Sequence, residues 1–189
     1  MQEGLIIGNI SNLFNVKVKD NIYECTARGK IKKDEISPVT GDIVQIEILD
    51  ETNKKGVIEN IDERRVYIKR PKISNITQLI LVVSMKMPKP DLLMLDKQIA
   101  FAEFLNVKPI IVLNKIDLID EIEINRIKKI YEDIGYKVIL TNAKTKIGIE
   151  DLKKQLSGNI SAFSGNSGVG KSTLINGIFE KEVTRRGNN

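Results

Sequence analysis

Histidine and tryptophan are absent from this chain of 189 residues, and cysteine occurs once, at Cys25. Without histidine, Ser-His or Cys-His nucleophilic catalysis and histidine-ligated metal sites are excluded for these residues acting alone. A single cysteine excludes an internal disulfide, and Cys25 is expected to be a small core residue. The start, Met1-Gln2-Glu3-Gly4, carries no basic region leading into an apolar stretch, so a cytoplasmic location is expected. No apolar run approaches the roughly 20 residues needed to cross a bilayer; the longest stand at 79–83 and 110–113, and no membrane partner is expected. Aromatic residues are few, and Phe14, Tyr23 and Tyr67 are the main candidates for base stacking. Any chemistry must come from lysine, serine, threonine, aspartate, backbone amides and a bound ion.

Positive charge is present but local. The net charge is +5, yet residues 1–63 hold 8 basic and 12 acidic residues. Arg64, Arg65, Lys69, Arg70 and Lys72 follow with no acid among them. A second cluster, Arg28, Lys30, Lys32 and Lys33, lies inside the acidic segment and is a candidate RNA-phosphate contact. Solvated loop charge explains both clusters equally well.

Residues 4–62 carry five short runs with a period of two, punctuated by Asp20-Asn21 and Gly41-Asp42. That pattern predicts a small closed β-barrel of OB type, with a five-stranded SH3-like barrel as the competitor. Past Pro71, apolar strands expected at 76–83, 109–113, 136–140 and 159–163 alternate with helices expected at 91–105, 122–134, 149–156 and 171–179. The helix at 122–134 would present Ile127, Ile130, Tyr131 and Ile134 on one face. Such alternation predicts a mainly parallel sheet covered on both sides. The expected domains are 1–68, an RNA-binding barrel, and 69–189, an α/β P-loop domain.

Gly165-Asn166-Ser167-Gly168-Val169-Gly170-Lys171-Ser172 fits a phosphate-binding loop between a strand and a helix. Glycines let successive N–H groups converge on phosphate oxygens, and the helix N-terminus adds partial positive charge. Lys171 would reach the β- and γ-phosphates, the Ser172 hydroxyl would ligate magnesium, and Thr173 continues the binding segment. Asn114-Lys115-Ile116-Asp117 ends an expected strand, the edge where parallel sheets bind ligands. Asp117 can accept two hydrogen bonds from guanine N1–H and its exocyclic amine, donors that adenine lacks there. Lys115 would lay its stem along the base, and Asn114 would tie this loop to the phosphate loop. Thr141-Asn142-Ala143-Lys144 follows the next strand, where GTPases carry a Ser-Ala-Lys segment that offers backbone N–H to guanine O6; here Asn142 stands for the usual serine.

The base-reading motif precedes the phosphate loop, the reverse of the usual GTPase order, which points to a circularly permuted domain. Order, spacing, the preceding barrel and the joining Arg70-Pro71-Lys72-Ile73-Ser74-Asn75-Ile76 resemble the ribosome small-subunit-dependent GTPase A family. The resemblance implies a GTPase that hydrolyses GTP to GDP and phosphate, assists late maturation of the small ribosomal subunit and contacts its rRNA through the barrel. It also implies a zinc-binding domain, whose cysteine and histidine ligands are absent here. The second switch segment is absent too, so the chain reads as an incomplete permuted GTPase domain with little turnover of its own, acting as a monomer. No catalytic residue can be assigned. Two other readings stay open: an RNA-binding module with a vestigial nucleotide site, and an ATP-dependent P-loop enzyme in which Asn114 to Asp117 are coincidental.

Overall fold

The computed structural model describes residues 1–29, 31 and 37–186, with side chains through Phe179. Two compact units divide the chain at Ile76/Thr77.

The first unit is a closed barrel of β1 (Gln2–Ile10), β2 (Leu13–Val18), β3 (Asn21–Ala27), β4 (Ile43–Asp50) and β5 (Lys55–Ile61), in the order β1-β2-β3-β5-β4. Alternate residues point inward, so Ile6, Val16, Val18, Cys25, Val44, Ile46 and Ile58 form the core. β1 closes on β4 in antiparallel register, and β3 runs parallel to β5. This Greek-key closure is the OB type and not the SH3-like one. Cys25 is buried at the centre, and desolvation pushes its thiol up to about 11, so no thiolate forms near neutral pH.

A hairpin of β6 (Tyr67–Lys69) and β7 (Lys72–Ser74) belongs to this unit, so the division falls after the expected 68/69 boundary. A buried carboxylate explains the shift. Asp42 accepts from Arg64 Nε at 2.7 Å and from its Nη2 at 2.8 Å, from Ser74 Oγ at 2.6 Å, and from Val39 N–H at 2.8 Å. Asn75 adds a second clasp, accepting from Arg65 N–H and donating to Gly41 O.

The second unit holds a parallel sheet in the order β10-β9-β8-β11. Along the chain it runs β8 (Gln78–Ser84), α1 (Leu92–Phe104), β9 (Lys108–Asn114), α2 (Glu121–Glu132), β10 (Lys137–Thr141), α3 (Ile149–Leu156), β11 (Ser161–Ser164) and α4 (Lys171–Arg186). β8 is buried throughout, as a central strand covered on both faces must be. Ile80, Val82, Ile110, Val112 and Ile139 pack with Ile149, Leu152, Leu174 and Ile178 of α3 and α4. α1 covers the opposite side of β8 and β9. The buried face of α2 is Ile124, Ile127 and Tyr131, whereas Ile130 and Ile134 are exposed. The helix ends at Glu132, short of the expected 134, which leaves Ile134 beyond its last turn, and Ile130 falls outside the face that packs inward. Among the described residues no helix is long and apolar enough to cross a membrane.

Candidate functional site

The C-terminal ends of β8, β9 and β10 form a register-matched row, Ser84 beside Asn114 beside Thr141. β11 sits lower, its Ser164 pairing with Leu81. The glycine loop must therefore climb past the end of β8 to reach Asn114. Gly165 makes that climb possible: at φ +145° it lies so close to β8 that a Cβ would stand 2.3 Å from Val82 O. Val169 turns inward into the core, which anchors the loop's middle, while Asn166, Ser167 and Gly168 stay exposed.

Asn114 joins the loops. Its Nδ2 donates to Val169 O at 2.9 Å, and its Oδ1 accepts from Thr141 Oγ1 at 3.0 Å. All three groups are buried. The two bonds fix the amide orientation, since only nitrogen can donate to the carbonyl. Lys115, in the left-handed region at φ 61°, sends its ammonium to Gly168 O at 2.7 Å and to Met87 O. Ile116 and Asp117 then lie in a single turn of 3₁₀-helix spanning Ile116–Leu118, with Asp117 exposed.

Across from Asp117, Asn142 Oδ1 accepts from Lys144 N–H at 3.0 Å and Thr145 N–H at 3.3 Å. This side-chain turn leaves Ala143 N–H without an acceptor among the described residues. The buried Asn142 Nδ2 has no partner either. Asn114, Lys115, Asp117, Asn142, Ala143, Lys144, Gly170 and Thr173, with Met87 and Leu118, enclose a cavity of about 230 Å³. Met87 and Leu118 carried no signal in the sequence; Leu118 follows Asp117 in the same 3₁₀ turn, whereas Met87 belongs to the loop after β8, which only the sheet order brings beside Asn114.

The glycine-loop side of the site is built on α4. Leu174 N–H closes the first helical bond on Gly170 O at 2.9 Å, so the amides of Lys171, Ser172 and Thr173 have no acceptor within the helix. Lys171 Nζ donates to Gly165 O at 2.7 Å and Asn166 O at 2.9 Å, which holds the ammonium across the loop. Lys115, Lys144 and Lys171 thus bring three cations to a site with one carboxylate, Asp117. With the helix dipole, this field favours an anion.

The donor set fits a guanine nucleotide. A carboxylate and an unoccupied backbone N–H face one cavity, and convergent amides with a lysine stand at its other end. Ser172 is exposed in the first turn, and no group of three Asp, Glu, His or Cys side chains occurs among the described residues. A magnesium ion that takes its other ligands from phosphate and water fits there. Zinc does not fit: the chain has no histidine, and its one cysteine is sealed in the barrel.

The expected RNA contacts separate. Arg28 is engaged by two carboxylates, Nε to Glu59 at 2.6 Å and Nη2 to Glu47 at 3.2 Å. Lys30, Lys32 and Lys33 lie outside the described residues. By contrast Lys69, Arg70 and Lys72, on the β6–β7 hairpin, are exposed and have no acidic partner among the described residues.

The profile of the RsgA GTPase family matches residues 61–188, and that of the RsgA N-terminal domain matches residues 3–58. The small ribosomal subunit biogenesis GTPase RsgA of Alkaliphilus metalliredigens is 41% identical over 187 residues, which is 99% of this chain and 64% of that protein. Its counterpart in Clostridium acetobutylicum is 43% identical over 185 residues, 98% of this chain and 63% of that protein. Among solved structures, YjeQ from Thermotoga maritima superposes with a TM-score of 0.84 at 36% identity, over 94% of this chain and 64% of that one. YloQ, a circularly permuted GTPase, gives 0.80 at 33% identity, over 93% of this chain and 63% of that one. The chain spans somewhat less than two thirds of the length of these relatives.

Proposed function

As this chain belongs to the RsgA GTPase family, we propose that it binds GTP and GDP at the cavity between Asn114 and the glycine loop, and serves a GTPase that assists maturation of the small ribosomal subunit. The observation that carries this reading is the Asn114 amide, which locks a base-reading loop and a phosphate-binding loop into one site through Val169 O and Thr141 Oγ1. Asp117 selects guanine by accepting from N1–H and the exocyclic amine, and Ala143 N–H donates to O6. Gly165, Asn166, Ser167, Gly168, Val169 and Gly170 cradle the phosphates with backbone amides, and Lys171 supplies positive charge to them. Ser172 would hold a magnesium ion, which neutralises phosphate charge when bound. The protein's part in phosphoryl transfer is then positioning and charge stabilisation. GTP hydrolysis and the small ribosomal subunit belong to the same proposal, supported by the relatives' names; contact with rRNA, a monomeric state and a cytoplasmic location are proposed with them. For the RNA, Lys69, Arg70 and Lys72 are better placed than the ion-paired Arg28.

A titration with fluorescent GDP, competed by GDP, GTP and ADP, tests the reading. Strong guanine preference is expected, and Asp117→Ala should erase it with a loss on the order of 100-fold, two charge-assisted hydrogen bonds at about 1.5 kcal/mol each. Equal affinity for ADP, unchanged by Asp117→Ala, would favour an ATP-dependent enzyme instead.

A further inference from the structure

The lining of the 230 Å³ cavity divides by chemistry. Asn114, Asp117, Asn142 and Lys144 address the edge and polar groups of a ligand. A purine also has two apolar faces, and among the described residues no aromatic side chain lines the cavity to stack on them. Apolar cover there comes from the Lys115 stem, Ala143, Leu118 and Met87. Met87 is the one with most surface to lose, at 64% exposed against 37% for Leu118.

The backbone under Met87 is not free. Met85 N–H donates to Asn114 O at 2.9 Å, and Lys115 Nζ donates to Met87 O. The segment between β8 and α1 is thereby pinned at two points to the Asn114-Lys115 step that leads into Asp117. An exposed thioether held at this place is suited to a ring face, because methionine is unbranched, polarizable and favours contact with π-systems.

We infer that Met87 is a nucleoside-contacting residue whose thioether covers one face of the bound purine. The inference rests on the guanine-nucleotide reading above. Met87 contributes affinity without base choice, since every purine offers a face, while choice stays with Asp117.

Methionine oxidation provides the test, because Met87 and two controls are read together. The chain is treated with dilute hydrogen peroxide, with and without saturating GDP, and each methionine is followed by mass spectrometry. Met1, 88% exposed, is the open reference, and Met85, 1% exposed, the buried one. GDP is expected to slow Met87 oxidation several-fold and to leave Met1 unchanged. In parallel, Met87→Ala should weaken GDP binding about fivefold, with Met87→Leu restoring most of it. Both variants should keep the parent ratio of GDP to ADP affinity, which Asp117→Ala abolishes. Undiminished Met87 oxidation while labelled GDP is bound, or a Met87→Ala variant that binds GDP as tightly as the parent, overturns the inference and leaves the nucleotide reading standing. Failure of the chain to bind GDP at all overturns both.

Discussion

Asn114 lies so close to Gly170 that no side chain fits between them. At φ +102°, a Cβ on Gly170 would stand 2.3 Å from Asn114 Nδ2. Gly170→Ala must therefore both strain the backbone and push the amide off Val169 O. The expected cost is on the order of 2 kcal/mol, read from urea unfolding, together with a clear loss of GDP affinity. Asn114, Lys115, Asp117 and the glycine loop were legible in the sequence because their chemistry depends on local spacing. The bond of Thr141 to Asn114 was not, since it crosses from β10 to β9 and exists only through their register. The pairing of Arg28 with Glu47 and Glu59 was hidden for the same reason.

The β6–β7 hairpin shows how a short piece of structure is held by something outside itself. Three residues per strand cannot sustain a hairpin in water, and the clamp comes from Asp42, whose side chain is fully buried while Arg64 is 17% exposed. Arg64→Ala leaves that carboxylate without its cation, at an expected cost of about 3 kcal/mol. The loss should appear as a lower unfolding midpoint, while GDP affinity, for which the proposed site lies in the second unit, stays at the parent value. Equal loss in both measurements would show that the clamp does more than hold the hairpin. Helix and strand positions in the second unit followed readily from apolar periodicity. The buried face of α2 did not, because isoleucine at four positions left the phase ambiguous until the sheet beneath chose Ile124, Ile127 and Tyr131. α4 also runs to Arg186, past the expected 171–179.

Charge is unevenly spread across the molecule as a whole. Much of the barrel's basic character is answered internally, with Lys55 paired to Glu24 and Lys54 to Glu51 besides Arg28. The hairpin tip keeps its three cations unpaired among the described residues. If that tip meets rRNA, replacing Lys69, Arg70 and Lys72 by glutamine should lower the slope of log affinity against log salt by roughly 2 to 3. Binding of the chain to small-subunit rRNA across a salt series measures this, and an unchanged slope would remove the hairpin from the interface.

By itself the sequence determined the order of the motifs, the switch from period-two strands to alternating strands and helices, and the residue types at the candidate nucleotide site. These are properties of neighbours along the chain, set by local geometry and spacing. Only the tertiary structure decided which hydroxyl orients Asn114, which loops wall the cavity, where the first unit ends and which arginines are already spent on carboxylates. Each of those depends on strand register and on packing between segments far apart in sequence, where one residue's slip would change every partner.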